Sequence, residues 1–407
     1  MNSAAKFFPT NYQSPLLGEE IIRSSPSTGF AGVFDCDYFY KRYATKNDMF
    51  KGEYNHKLKP AYEDPWIVLK SIPEAEIINR HLVISKEKKI LYGLQYHFVT
   101  PPTTKNLKEM FDIDYYITFE LPHPTDNKRN QKVSYSVAKE TESFDEGFFL
   151  GETDNFGHWL FEFTPKLLWY KKYLLDANIN VPILVGEDVP NRWLEVSEPL
   201  GIPAKNFQRV KLGKTLKVKK LYICGPSVGK SLDMYTHYVR ADDISELRVI
   251  FRNYYKLDLI PKTVDILFES RERARWRKIV NEDELIKRVK DEVGLTTEKF
   301  FPEAMTFREQ IEKLQSSSIF VGTGASLPFS FFMSKDSVLV EIRNPLKSGF
   351  ATNITSDIFR IPYYRPRTKM GDRNTGPTQM DTDLQIDENE FIESMSLISK
   401  EFFPLIL

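Results

Sequence analysis

The sequence predicts an α/β protein built on parallel sheets. Two observations carry that prediction. From about residue 145, short apolar runs of strand length alternate with longer segments whose apolar residues recur at helical spacing. Short apolar strands alternating with helices mean parallel sheets with helices on both faces. A chain of 407 residues also exceeds one ordinary core, so two domains are expected.

The elements follow in order. Residues 1–100 are rich in Pro, Tyr and charge, with short apolar runs such as "GFAGVF" and "WIVL". They predict an irregular β-rich region, including a hairpin in "RHLVISKEKKILYGLQYHFV". "GHWLFEFTPKLLWYKKYLLD" predicts a long helix, and "VPILVG" and "VKKLYIC" predict strands. "ADDISELRVIFRNYYKL" predicts a helix with Asp242 or Asp243 near its start. "TVDILFES" predicts a strand, and "NEDELIKRVKDEV" a helix capped by Asn281. "EKFFPE" predicts a strand, and "TFREQIEKLQSS" a helix with a Thr306–Glu309 capping box. "SIFVG", "ASLPFSFFM" and "SVLVEIR" read as strand, short helix and strand. "YYRPRTKMGDRNTGPTQMDTDLQ" reads as a loop, and "ENEFIESMSLISKEFF" as a final helix.

Composition narrows the function. Lys+Arg and Asp+Glu both number 56, so no broad nucleic-acid-binding surface is indicated. Cys36 and Cys224 are the two cysteines, too few for a disulfide framework or a cysteine zinc site. The first residues contain no long apolar run, so neither a signal peptide nor a membrane span is expected, and a cytoplasmic setting fits.

In sheets of this kind ligands sit beyond the carboxyl ends of the strands. That rule marks the positions after Cys224, Glu269, Val321 and Glu341, and four stretches of the chain carry candidate chemistry. "CGPSVGKS" resembles a phosphate loop, G-x-x-x-x-G-K-[ST]. Its first glycine position is Cys224, however, and counting from Gly225 leaves the spacing one residue short. Pro226 also removes a backbone donor. A nucleoside triphosphatase, with Lys230 on phosphate, therefore stands as an alternative.

"DNFGHWLFEFTPKL" is the second stretch. Asp154 or Asn155 can cap the helix, and His158 falls in its first turn, where the macrodipole disfavours imidazolium. A neutral imidazole suits a general base. Glu162 lies four residues on, on the same face, placed to hold the ring in one tautomer or to meet a sugar hydroxyl. The third is "ESRERARWRKIVNEDEL", whose Arg271, Arg273, Arg275 and Arg277 follow a buried strand. Guanidinium groups grip diphosphates bidentately, though at most two or three of these can face one ligand. The fourth, around Gly322-Thr323-Gly324-Ala325, offers glycine backbone and a helix N-terminus to an anion. Glu341 ends the next strand at the same height and could accept hydrogen bonds from a ribose or sugar.

The last three stretches, in this order, resemble glycosyltransferase family 61. "NFGHWLFEFTPKL" resembles its Asn-x-x-His-Trp…Pro-Arg signature. "SRERARWRKIVNEDEL" resembles its Ser-Arg…Arg…Asn-Glu-x-Glu-Leu segment. "FREQIEKLQSSSIFVGTGASLPFSFFM…VLVEI" resembles its Gly-x-His-Gly-Ala region. The likeness spans about residues 145–345. Thr323 stands where the family has His, Ser326-Leu327-Pro328-Phe329 where it has Gly-Leu-x-Asn, and Lys166 where it has Arg.

The resemblance implies a GT-B-like architecture, two Rossmann-like domains facing across a cleft. Its parts would be 1–100 as the β-rich region, 101–230 for the acceptor, 231–365 for the nucleotide sugar, and 366–407 as loop and helix. It implies an inverting transfer from a nucleotide diphosphate sugar to a hydroxyl of a glycan or glycoconjugate. UDP is the expected nucleotide, with xylose or GlcNAc as the first sugars to try. His158 would be the base, with Glu162 beside it. Arg271, Arg277, Gly322, Thr323, Gly324, Ala325 and Glu341 would bind the donor, and Asn155 and Lys230 would face the acceptor or the cleft. Protein charge on the diphosphate would leave no need for a metal or other cofactor.

Two further alternatives stay open. A metal-dependent GT-A enzyme would use an Asp-x-Asp pair, and three are present: Asp35-Cys36-Asp37, Asp112-Ile113-Asp114 and Asp381-Thr382-Asp383. The changes at Thr323 and Phe329 would also suit a glycan-binding or assembly protein without turnover.

Overall fold

The computed structural model describes residues 20–25, 67–78, 82–84, 141–151, 153, 156–211, 215–224, 228–230, 237–239, 241–323, 327–344, 359, 361–366, 368–371 and 382–403. These fall into two compact units, with the division at Ile244/Ser245.

The first unit carries a seven-stranded sheet. Its strands are β1 (Glu20–Ser25), β2 (Ile67–Ile78), β3 (Leu82–Ile84), β4 (Thr141–Gly151), β5 (Ile183–Gly186), β6 (Phe207–Val210) and β7 (Thr215–Cys224). They lie in the order β1-β2-β7-β4-β5-β6, with β3 on β2. The run β7-β4-β5-β6 is parallel, and β2 joins it antiparallel along nearly the whole of β7. β4 and β6 are absent from the sequence expectation. The first half of β4, "TESFDE", is polar and largely exposed, and only its second half is buried. Half-exposed β6 is equally short of apolar signal. The first arm of the expected hairpin forms β3, which pairs with β2 (Val83 with Ile77); its second arm lies outside the described residues.

Between β4 and β5 runs α1, which starts as Phe156–His158, widens into a π turn over Trp159–Phe163 and continues as Thr164–Tyr173. The sequence explains the widening. Pro165 has no N–H for the carbonyl four residues back, and its ring crowds that carbonyl. Thr164 reaches one residue further instead: its amide and its hydroxyl both donate to Trp159 O. α1 is buried on almost every side, as an apolar helix inside a domain must be. Gly151, at φ +94°, ends β4 against this turn; a Cβ there would sit 3.1 Å from the Phe163 ring.

After α2 (Asn191–Leu194) and β6–β7, β8 (Val228–Lys230) pairs antiparallel with β9 (His237–Val239). α3 (Ala241–Tyr255) then crosses the division between units. The second unit is a five-stranded parallel sheet: β10 (Val264–Glu269), β11 (Thr297–Phe300), β12 (Ser317–Thr323), β13 (Val338–Ile342) and β14 (Tyr363–Tyr364). Numbered along the chain, the strands stand in the order 2-1-3-4-5. That doubly wound order reverses direction between β10 and β12.

α4 (Glu282–Arg288) links β10 to β11 and ends in a π turn (Val289–Val293), and α5 (Phe307–Gln315) links β11 to β12. The expected capping box of α5 is complete: Thr306 N–H donates to Glu309 Oε2 at 2.7 Å, and Glu309 N–H to Thr306 Oγ1 at 3.3 Å. Thr306→Ala is expected to lower stability by about 1 kcal/mol in chemical denaturation. Thr306→Ser keeps the hydroxyl and should stay close to wild type; an equal loss in both would assign the effect to the methyl group.

Asn281 precedes α4 but does not cap it. Its side chain donates to Ile386 O (2.8 Å) and accepts from Ile386 N (3.2 Å). The C-terminal stretch read as a loop is partly regular. Besides β14, it holds β15 (Thr368–Met370) paired antiparallel with β16 (Leu384–Ile386). α6 (Glu388–Phe402) closes the described chain, capped by Asp387.

Candidate active site

In the first unit, α1 presents His158 and Glu162. The spacing of four residues stacks them across the π turn, and His158 Nδ1 lies 2.6 Å from Glu162 Oε1. Widened turns of this kind recur at functional sites. The two side chains differ in exposure, 41% for the imidazole and 6% for the carboxylate. A partner can therefore reach the ring while the carboxylate stays behind it. An ionised carboxylate only accepts, so a neutral ring paired with it carries its hydrogen on Nδ1 and has its acceptor at Nε2. Trp159, next to His158, is locked by its indole N–H to Trp193 O at 2.8 Å.

Lys166 follows one turn after Glu162. Its ammonium lies 4.8 Å from the Phe163 ring centre. Burial lowers its pKa, while Cys224 and Glu162 pull it back up. β8 packs against the π turn, bringing the strand that bears Lys230 to the same place. This overturns the phosphate-loop alternative. A phosphate loop needs its Gly-Lys at the start of a helix, whereas Gly229 and Lys230 pair with Tyr238 and His237 in an antiparallel ribbon. Asn155 lies outside the described residues.

In the second unit, the loop after β10 lies at the carboxyl edge of the sheet, beside the switch point with β12. Its four arginines divide into two pairs. Arg273 and Arg275 are exposed and rest on rings, 4.0 Å from Phe301 and 4.8 Å from Trp276. Arg271 and Arg277 are half-buried. Arg271 Nη2 donates to Trp276 O (3.0 Å), its backbone N–H donates to Glu282 Oε2 (3.2 Å), and its buried Nε makes no hydrogen bond. Arg277 adopts φ +60°, a conformation that a side chain of this size rarely takes. Lys299 on β11 pins the outer shoulder of the loop through Glu272, Glu282 and Asp283.

Across the switch point the decisive contact is Glu269. This carboxylate, 4% exposed, ends β10 and accepts from both Thr323 N (2.7 Å) and Thr323 Oγ1 (2.9 Å). Its other oxygen lies 3.9 Å from Arg271 Nη1. One residue therefore ties the end of β12 to the arginine loop. Sequence reasoning missed it, although an acidic residue closing an otherwise buried apolar strand is itself a signal. Gly322 lies within buried β12; Gly324 and Ala325 lie outside the described residues.

Glu341 departs from its expected role. It has no exposed surface, and its oxygens are taken by Arg343 (Nε at 2.8 Å, and Nη2) and by the Tyr363 hydroxyl. It braces β13 against β14 rather than facing a ligand. Of the Asp-x-Asp pairs, the first two lie outside the described residues. In the third, Asp383 accepts from the Lys278 amide at 2.8 Å. Among the described residues no group of three or more His, Cys, Asp or Glu is placed to hold a metal, and no helix is long and apolar enough to cross a membrane.

No curated protein is similar enough to the chain to count as a match. The family model Glycosyltransferase 61 matches residues 156–340, from the start of the histidine helix, through the arginine loop, into β13. The segment that holds both candidate sites thus belongs to glycosyltransferase family 61, and the protein carries a sugar-transferring domain.

Proposed function

We propose that the protein is an inverting glycosyltransferase that needs no metal and moves a sugar from a UDP-linked donor to a hydroxyl of a glycan or glycoconjugate. Xylose and GlcNAc are the first donor sugars to try. A GT-B arrangement belongs to this reading, with the acceptor assigned to the first unit and the donor to the second.

The observation that carries the reading is the arginine loop at the switch point of a doubly wound sheet, where such folds bind ligands. Arg271 and Arg277 would take the charge that develops on the departing diphosphate, a task that fixed cations perform well in a dry site. His158 Nε2 would accept the proton of the attacking hydroxyl, with Glu162 stabilising the tautomer in which Nε2 carries no hydrogen. The hydroxyl oxygen then bonds to the anomeric carbon from the face opposite the diphosphate. The bond to the diphosphate oxygen breaks, and its electron pair leaves with UDP.

The test is thermal unfolding with UDP, GDP, CMP and ATP, each with Mg²⁺ and with EDTA. UDP at a hundred times its dissociation constant should add roughly 2.7 kcal/mol, with or without EDTA. Stabilisation by UDP only with Mg²⁺ would favour a metal-dependent transfer. No response to any nucleotide, combined with binding of free glycans, would favour a glycan-binding protein without turnover.

A further inference from the structure

The chain beyond the matched segment reaches back to the arginine loop. β16 runs alongside residues 278–280: Leu384 N donates to Lys278 O (2.8 Å), and Val280 N donates to Leu384 O (2.9 Å). Just before β16, Asp383 is 7% exposed, and its Oδ1 accepts the Lys278 amide at 2.8 Å. Lys278 directly follows Arg277, the residue at φ +60°. The peptide joining the two turns whenever Arg277 leaves its left-handed conformation. Such a conformation persists only where surrounding contacts fix it, and a buried carboxylate on that peptide N–H is such a contact.

We propose that Asp383 is a positioning residue of the sugar-donor site. By holding the Lys278 amide it locks Arg277 in its left-handed conformation and thereby aims the guanidinium at the diphosphate. This rests on the reading of Arg277 as a diphosphate-binding residue.

The full chain is titrated with UDP in EDTA as wild type, Arg277→Ala, Asp383→Ala and Asp383→Asn, and hydrogen exchange of the Lys278 amide is followed in each. Asp383→Ala is expected to weaken UDP about tenfold, the scale of one charge-assisted hydrogen bond, and to speed exchange at Lys278. Asp383→Asn keeps an acceptor oxygen and should restore most of both. If Arg277→Ala loses UDP while Asp383→Ala binds it like wild type, the positioning role is wrong and the reading of Arg277 stands. If wild type does not bind UDP, or Arg277→Ala binds it undiminished, both fall. Should the alanine variant not fold, Asp383→Glu keeps the charge but displaces the acceptor by one methylene. Weaker UDP binding with faster exchange would support the proposal, and wild-type behaviour in both would overturn it.

Discussion

His158→Ala is expected to lower kcat by about a hundred- to ten-thousand-fold, the usual worth of a positioned general base. UDP affinity should stay unchanged, because Arg271 and Arg277 are untouched. The histidine meets the geometric demands of the role. Its ring is accessible, and its Nδ1 lies 2.6 Å from Glu162 Oε1. Glu162→Gln should cost less, about ten- to a hundredfold, because the amide can offer Nδ1 either its oxygen or its NH₂, and the second choice enforces the wrong tautomer. Turnover of His158→Ala equal to wild type would remove the histidine from the chemistry and turn attention to another base.

Arg271→Met and Arg277→Met, each alone, are expected to lower kcat/KM by roughly a hundred- to a thousandfold and to weaken UDP. The control lies in the same loop. Arg273 and Arg275 are exposed and lie over Phe301 and Trp276, so Arg273→Met and Arg275→Met should stay within about twofold of wild type. The loop therefore contains its own comparison, at matched charge and chain length. Equal losses at all four positions would mean that net positive charge, rather than two aimed guanidinium groups, supports the reaction.

What could be read from the sequence follows the physics of burial. β5, β10, β12, β13 and the second half of β7 are short, mostly apolar and largely buried, and they stand out for that reason. β4 and β6 do not, since polar residues make up about half of each. β14 to β16 are two or three residues long and sit among prolines and polar residues, so neither periodicity nor composition marks them. The pairing of His158 with Glu162 was legible because it is local, four residues within one helix. Glu269 to Thr323 spans 54 residues and Asp383 to Lys278 spans 105, and no local pattern encodes contacts of that length. Asn281 shows the opposite hazard. It stands where a cap belongs, yet tertiary contact with Ile386 claims its side chain.

The tie between Lys278 and Asp383 also sets an order of events during synthesis. The ribosome delivers the chain N-terminus first, at about 5–20 residues per second. The arginine loop emerges with its helix and strands, but its brace is made 105 residues later. Contacts of such separation are late to form, because a long loop must close before they repay its entropy. The histidine helix can thus be complete in the nascent protein while the arginine loop is still unbraced, and the brace arrives only once the stretch around Asp383 has been made.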